Sequence, residues 1–106
     1  MGKAQRDKGA RFERTIANEI GARRGQIFNG EDDIVTSPDS PYDRYHIECK
    51  HQETTKIHDW MRQSIEAAKG KIPIVVHKRN RDHILVTMLW EDFKNLVERR
   101  TDDNTE

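Results

Sequence analysis

Cysteine is almost missing from this chain of 106 residues. The single one, Cys49, excludes an internal disulfide, and without a CxxC pair there is no zinc-knuckle framework. Five histidines (46, 51, 58, 77 and 83) show no HxxxH spacing either, so a structural zinc site is not expected. No apolar run is long enough to span a membrane, and no signal-peptide core is present. An excess of charge is also absent: 19 basic residues balance 19 acidic ones. That excludes binding to a polyanion by bulk charge, though not by a local basic face. Apolar residues make up 33% of the chain against 36% charged, so the core must be small. A domain of this size gains from dimerisation or from a bound ion.

What is present reads as one domain over residues 1–106, with an ordered core near 8–100. Residues 1–7 are polar and predict a loose end. From Lys8 a helix is expected, with Phe12, Ile16 and Ile20 along one stripe and Gly21 and Gly25 beyond its end. Short strands are expected over 26–30 and 33–36. The stretch 37–43 holds two prolines and two aspartates and predicts a turn. Residues 44–50 alternate as a strand, with Tyr45, Ile47 and Cys49 on one face and His46, Glu48 and Lys50 on the other.

Thr54 or Thr55 is placed to cap a helix over 55–69, whose apolar positions are Ile57, Trp60, Met61, Ile65 and Ala68. The run IPIVVHK (72–78) reads as a strand covered on both faces. A turn at 79–82 leads to a strand over 83–89 and a helix over 90–100, with TDDNTE as a polar tail. Trp60 and Trp90 sit at apolar helix positions and are expected in the core, as is Cys49. His46 is expected at the surface. The order helix, three strands, helix, two strands, helix predicts an α/β domain with a mixed sheet, the helix over 55–69 forming a crossover.

The chemistry lies on the polar face of the 44–50 strand. Glu48 and Lys50 project from one side because side chains repeat every second residue. If the strands around the 37–43 turn pair as a hairpin, Asp33 comes to the same end. Two carboxylates and an ammonium then converge, a hard oxygen set suited to Mg²⁺ or Mn²⁺. Glu-x-Lys in a strand is equally compatible with a solvated face. Glu13 falls at the edge of the Phe12–Ile16–Ile20 stripe, where it either forms an edge salt bridge, for example to Arg14 or Arg44, or leans toward the other two acids. Basic residues cluster at Arg23–Arg24 and at Lys78, Arg79 and Arg81. The second cluster is a turn between two strands and is a candidate contact for a phosphate backbone.

These motifs, KGARFER (8–14), DDIV (32–35), IECK (47–50) and Gln63 in DWMRQ, in that order, resemble the PD-(D/E)XK nuclease superfamily. The chain most resembles its small phage and archaeal Holliday-junction-resolvase-like branch. The resemblance runs over about residues 8–97. It implies a restriction-endonuclease-like αβββαβ core, here with an added strand and a C-terminal helix. It also implies that Asp33 and Glu48 ligate metal, that Lys50 is the catalytic lysine, that Glu13 completes the site from the first helix, and that Gln63 supports it.

Asp32 stands where the family name has proline, so Asp32 and Asp33 compete for the ligand role; Asp33 is favoured because it leads into the Ile-Val strand. Asp39 and Asp43 are weaker alternatives. The implied activity is a Mg²⁺-dependent endonuclease acting on branched DNA as a homodimer, in an intracellular setting that includes the host cytoplasm for a phage-encoded chain. A DNA-binding or assembly module that has lost catalysis, and a nicking or sequence-specific nuclease, are the rival readings.

Overall fold

The computed structural model describes residues 2–26 and 30–105, with side chains described as far as Arg99. The first helix, α1, spans Lys3–Glu19 and begins five residues before the expected start, because the opening KAQRD contains no helix breaker. Its buried residues are Phe12, Ile16 and Ala17. It ends in a Schellman motif: Ala22 N–H donates to the Ala17 carbonyl at 2.8 Å and Gly21 N–H to that of Asn18 at 3.4 Å. Gly21 takes φ +70°, the left-handed value that glycine adopts without cost.

Past this turn the chain enters β1 (Arg23–Arg24), which pairs antiparallel with β2 (Ile34–Val35) as a two-stranded ribbon. The strand expected over 26–30 falls on residues 27–29, which lie outside the described ones. The expected hairpin around 37–43 does not form. β2 pairs with β1, and β3 (Tyr45–His51) pairs instead with β4 (Ile72–Lys78). The reason is local. Residues 37–45 make successive turns, with Ser40 N–H bonded to Ser37, Asp43 N–H to Ser40 and Tyr45 N–H to Tyr42, giving a connection too broad for a tight hairpin.

β3 and β4 run parallel, connected by α2 (Ile57–Ala67), and β4 pairs antiparallel with β5 (Leu85–Met88). The order β3-β4-β5 makes a mixed sheet with helices on its faces, an α/β restriction-endonuclease-like core. α2 starts after Lys56 without a side-chain cap, so neither Thr54 nor Thr55 has the role expected of it. The last helix, α3, runs Trp90–Thr105 and extends through the expected tail, since no glycine or proline interrupts it.

The sheet separates two small cores. On one face Phe12, Ile16 and Ala17 of α1 pack on Ile34, Ile47 and Cys49, with Ile74 and Val76 beside them. On the other, Trp60 and Met61 of α2 pack on Val75. Ser64, fully buried, donates its hydroxyl to the Ile74 carbonyl at 3.0 Å, which satisfies the one polar group α2 takes into the core. Trp60 is therefore a core residue, as expected, but Trp90 is not: it is 68% exposed, because little of the domain packs along α3.

The β1–β2 ribbon carries the segment leading to Asp33, and Gly25 locks it. Gly25 N–H donates to the Asp33 carbonyl at 2.8 Å, and a Cβ at residue 25 would overlap the backbone carbonyl of Asp32. Gly25→Ala must spread the ribbon. We expect a loss of about 1–3 kcal/mol in urea unfolding; an unchanged midpoint would mean that this close approach does not hold the Asp32–Asp33 segment.

Candidate active site

Asp33 immediately precedes β2, and its carboxylate reaches across to the free edge of β3, where Oδ2 accepts the Cys49 N–H at 3.2 Å. One side-chain bond stands where a strand ladder was expected. It sets the Asp33 carboxyl close enough to Glu48 for their charges to interact. Burial and the neighbouring Glu48 charge, with a smaller contribution from Glu13, raise the Asp33 pKa to about 6; the Cys49 amide and Lys50 oppose the rise. The Glu48 pKa is lowered, chiefly by its hydrogen bond from His46. Lys50 Nζ lies 3.9 Å from Glu48 Oε2.

The polar face of β3 is not a solvent face. α2 lies over it, and His46 is only 3% exposed rather than at the surface. Its burial is tolerated because it stands between two acids: Nε2 is 3.3 Å from Glu48 Oε1, and Nδ1 is 3.3 Å from Asp32 Oδ2, though not in hydrogen-bonding alignment. The Glu48 bond, ahead of the Asp32 charge, raises the His46 pKa against the effect of burial. The two aspartates thus separate, Asp33 to Glu48 and Asp32 to His46. Asp43 is elsewhere, accepting from Thr36 Oγ1 at 2.6 Å and Lys71 at 3.3 Å. The period-2 spacing of His46 and Glu48 was legible in sequence; the burial of that face by α2 was not.

Glu13 accepts from Arg24 Nε at 2.7 Å, an edge salt bridge with a different arginine from the two suggested, and its charge contributes to the rise at Asp33. A cavity of about 280 Å³ between α1 and β3 is lined by Glu13, Arg24, Cys49, Lys50, His51 and Gln52, among others. Gln63 is exposed on α2, and among the described residues no hydrogen bond links it to Asp33 or Glu48. Cys49 is buried in the core as expected, and burial pushes its thiol pKa upward, away from thiolate chemistry.

Can these residues hold a hard divalent cation? Among the described residues no group of three or more His, Cys, Asp or Glu side chains stands ready as a complete cage. Two neighbouring carboxyls, one of them resisting ionisation because of burial and the charge of the other, nevertheless fit an ion that takes one or two carboxylates and leaves its other positions to water and phosphate.

Beyond His51 the surface turns basic. A cavity of about 540 Å³ is lined by His51, Glu53, Lys78, Asn80 and Arg81. A neighbouring one of about 370 Å³ adds Lys8 and Arg11 from α1. Asn80 connects the two sides: its Oδ1 is 3.3 Å from Lys8 Nζ and 3.1 Å from His51 Nε2. Of the three basic turn residues, Arg79 is taken up by Asp82 at 2.9 Å, while Lys78 and Arg81 face the cavity. Arg81 holds φ +57°, an uncommon backbone for a side chain of its size. Lys8 and Arg11 had no signal as cleft residues in sequence, because only the packing of α1 brings them beside the β4–β5 turn.

A family model described as "Phage putative PDDEXK endonuclease" matches residues 4–105. No curated protein and no solved structure matches the chain.

The Asp33–Glu48 contact has a measurable consequence without any ligand. A carboxyl whose folded pKa is raised binds protons more tightly folded than unfolded, so its contribution to stability falls as pH rises from about 4 through 6. In EDTA at pH 7, Asp33→Asn is therefore expected to be more stable than wild type by about 1–3 kcal/mol, a gap that closes below pH 4. Urea unfolding at pH 4, 5.5 and 7 measures it; an Asn variant less stable at pH 7 would contradict the repulsion.

Proposed function

Since this chain belongs to the phage PDDEXK endonuclease family, within the PD-(D/E)XK superfamily, we propose that it is a divalent-metal-dependent DNA endonuclease with Asp33 and Glu48 as its metal ligands. The observation that carries this reading is the Asp33 carboxyl, bound by Cys49 N–H near enough to Glu48 for the two charges to interact, with Lys50 Nζ 3.9 Å from Glu48. When bound there, Mg²⁺ or Mn²⁺ would supply positive charge against the scissile phosphate and acidity to water.

The chain's own residues do the rest. Asp33 is oriented by the Cys49 amide and Glu48 by His46, so both carboxylates are aimed before substrate arrives. Lys50, half-buried on the same strand, orients the attacking water and offsets charge on the phosphate. Glu13, at the α1 side of the cavity, adds a third acidic group, and its partner Arg24 positions it. Gln63 takes the supporting role on α2. Lys78 and Arg81, joined by Lys8 and Arg11, bind backbone phosphates along the basic cavities; Arg79, paired with Asp82, contributes less. The substrate we assign is branched DNA, cut by a homodimer in the intracellular space where the DNA lies. This finer assignment rests on the likeness to Holliday-junction resolvases.

Cleavage of labelled junction, flap, nicked and linear DNA, with and without Mg²⁺ or Mn²⁺, tests the activity. Lys50→Ala and Asp33→Asn are each expected to lower the rate at least about hundredfold while DNA binding persists. Wild type that binds but never cuts any of these substrates would leave a binding module of the same fold; cutting of linear DNA at one sequence would leave a sequence-specific nuclease. Separately, Lys78→Ala and Arg81→Ala should weaken binding to every DNA tested and flatten the salt dependence by about one ion each. An unaltered salt slope would place the backbone contacts elsewhere.

A further inference from the structure

Among the described residues the sheet has a face that its own helices leave bare. α1 lies over β3 and the β1–β2 ribbon, and β5 at the far side of that face is not covered. Val86 pairs with Val76, which belongs to the α1-side core, so Val86 projects from that face, and it is 61% exposed. Ile84, next to it, is also exposed and borders the cleft beside Phe12.

The chain then passes directly into α3, which makes little packing with the rest of the domain. Arg44, Tyr45 and Ile72 meet Asn95, Leu96 and Arg99 across a small cleft, and the opposite flank stands open. That flank is apolar. Trp90, Phe93 and Val97 fall on one side of the helix at spacings of three and four, and all three are exposed. The Trp90 and Phe93 rings sit 6.1 Å apart, so they form one block rather than scattered side chains.

We propose that this surface, the bare side of β5 together with the open flank of α3, is where a second copy of the chain docks. α3 of each protomer would be seated against β5 of the other about a two-fold axis. The proposal deepens the two-protomer reading above and rests on it for the choice of partner, while the surface itself follows from packing alone.

Two features favour a second copy. The patch holds both halves of an α/β layer, an uncovered strip of sheet and an unseated amphipathic helix. The short Leu89 connection makes it hard for α3 to fold back over its own β5, so reciprocal exchange is the closed solution. The size also fits. Ile84, Val86, Leu89, Trp90, Phe93 and Val97 leave about 600 Å² exposed per protomer, at the upper limit for a patch on a monomer. Two such patches facing each other remove about 1,200 Å² from water, enough for a specific interface.

Sedimentation velocity at micromolar concentration, without DNA and with EDTA, provides the test. Wild type is expected at twice the 12.5 kDa protomer mass. Phe93→Glu and Trp90→Ser on the helix, and Val86→Glu on the sheet, are each expected to weaken the dimer at least a hundredfold, with the far-UV circular dichroism unchanged. All three side chains are exposed in the protomer, and the two helix variants leave both cores untouched should the strand variant fail to fold. A wild type of 12.5 kDa throughout the micromolar range overturns the proposal, as when another protein or another segment covers the patch. So does a dimer that survives the helix variants. Failure of the nuclease reading remains distinct: an inactive dimer that the variants dissociate leaves the surface standing, whereas an active monomer removes it.

Discussion

The acceptance of one backbone amide by one carboxylate, Cys49 N–H by Asp33, holds the site together. β2 and β3 do not pair, so the Asp33 segment meets the strand that carries Glu48 and Lys50 without a ladder, through this bond, the packing of Ile34 on Ile47 and Cys49, and the approach of Asp32 to His46. The contact is unfavourable in isolation, because it holds two acids together in a half-buried place. It persists because both sides are anchored independently. The β1–β2 ribbon and Gly25 fix Asp33 from one direction, and the parallel β3–β4 ladder fixes Glu48 from the other.

His46 and Arg24 divide the remaining charge. His46, buried between Asp32 and Glu48, bonds to Glu48 and lowers its pKa, whereas burial and the Glu48 charge raise that of Asp33 to about 6. Arg24 pairs with Glu13 from the ribbon at 2.7 Å. Of the three acids, Glu48 has an imidazole beside it and Glu13 a guanidinium, while Asp33 has the Cys49 amide.

Much of the fold was legible because it follows from short-range pattern. The β3 alternation, the apolar run of β4 and the α2 stripe are periodic signals, and the structure places them where the periodicity does. The segments that escaped are those fixed by distant contacts. The hairpin failed because strand pairing depends on what the turn at 37–43 permits, and successive turns there open it too wide. Trp90 was expected in the core because its helical spacing is amphipathic, yet amphipathicity says only that a helix has an apolar flank, and not that this chain covers it. His46 was misplaced for the opposite reason: a polar strand face is solvated only if no helix lies over it. The candidate site could be named in sequence only as residue types in order, Glu13, Asp33, Glu48 and Lys50. The approach of Asp33 to the strand of Glu48 runs through the Cys49 amide, which has no signature in sequence.

A chain of net charge zero must concentrate cations locally if it is to hold a polyanion. Arg23 is taken by Glu31, Arg24 by Glu13, Arg62 by Asp59, Lys71 by Asp43 and Arg79 by Asp82. Lys8, Arg11, Lys78 and Arg81 have no carboxylate partner in these ion pairs, and they line the two cavities that meet at His51. His51 also borders the cavity that holds Lys50 and Glu13. These four cations and the crowded carboxyls are therefore neighbours. The cations would attract a phosphate backbone into the cleft, whereas the carboxyls would repel it unless a metal ion stood between. Two opposing fields a few residues apart make the same demand on a ligand: it must bring an anion and a cation together.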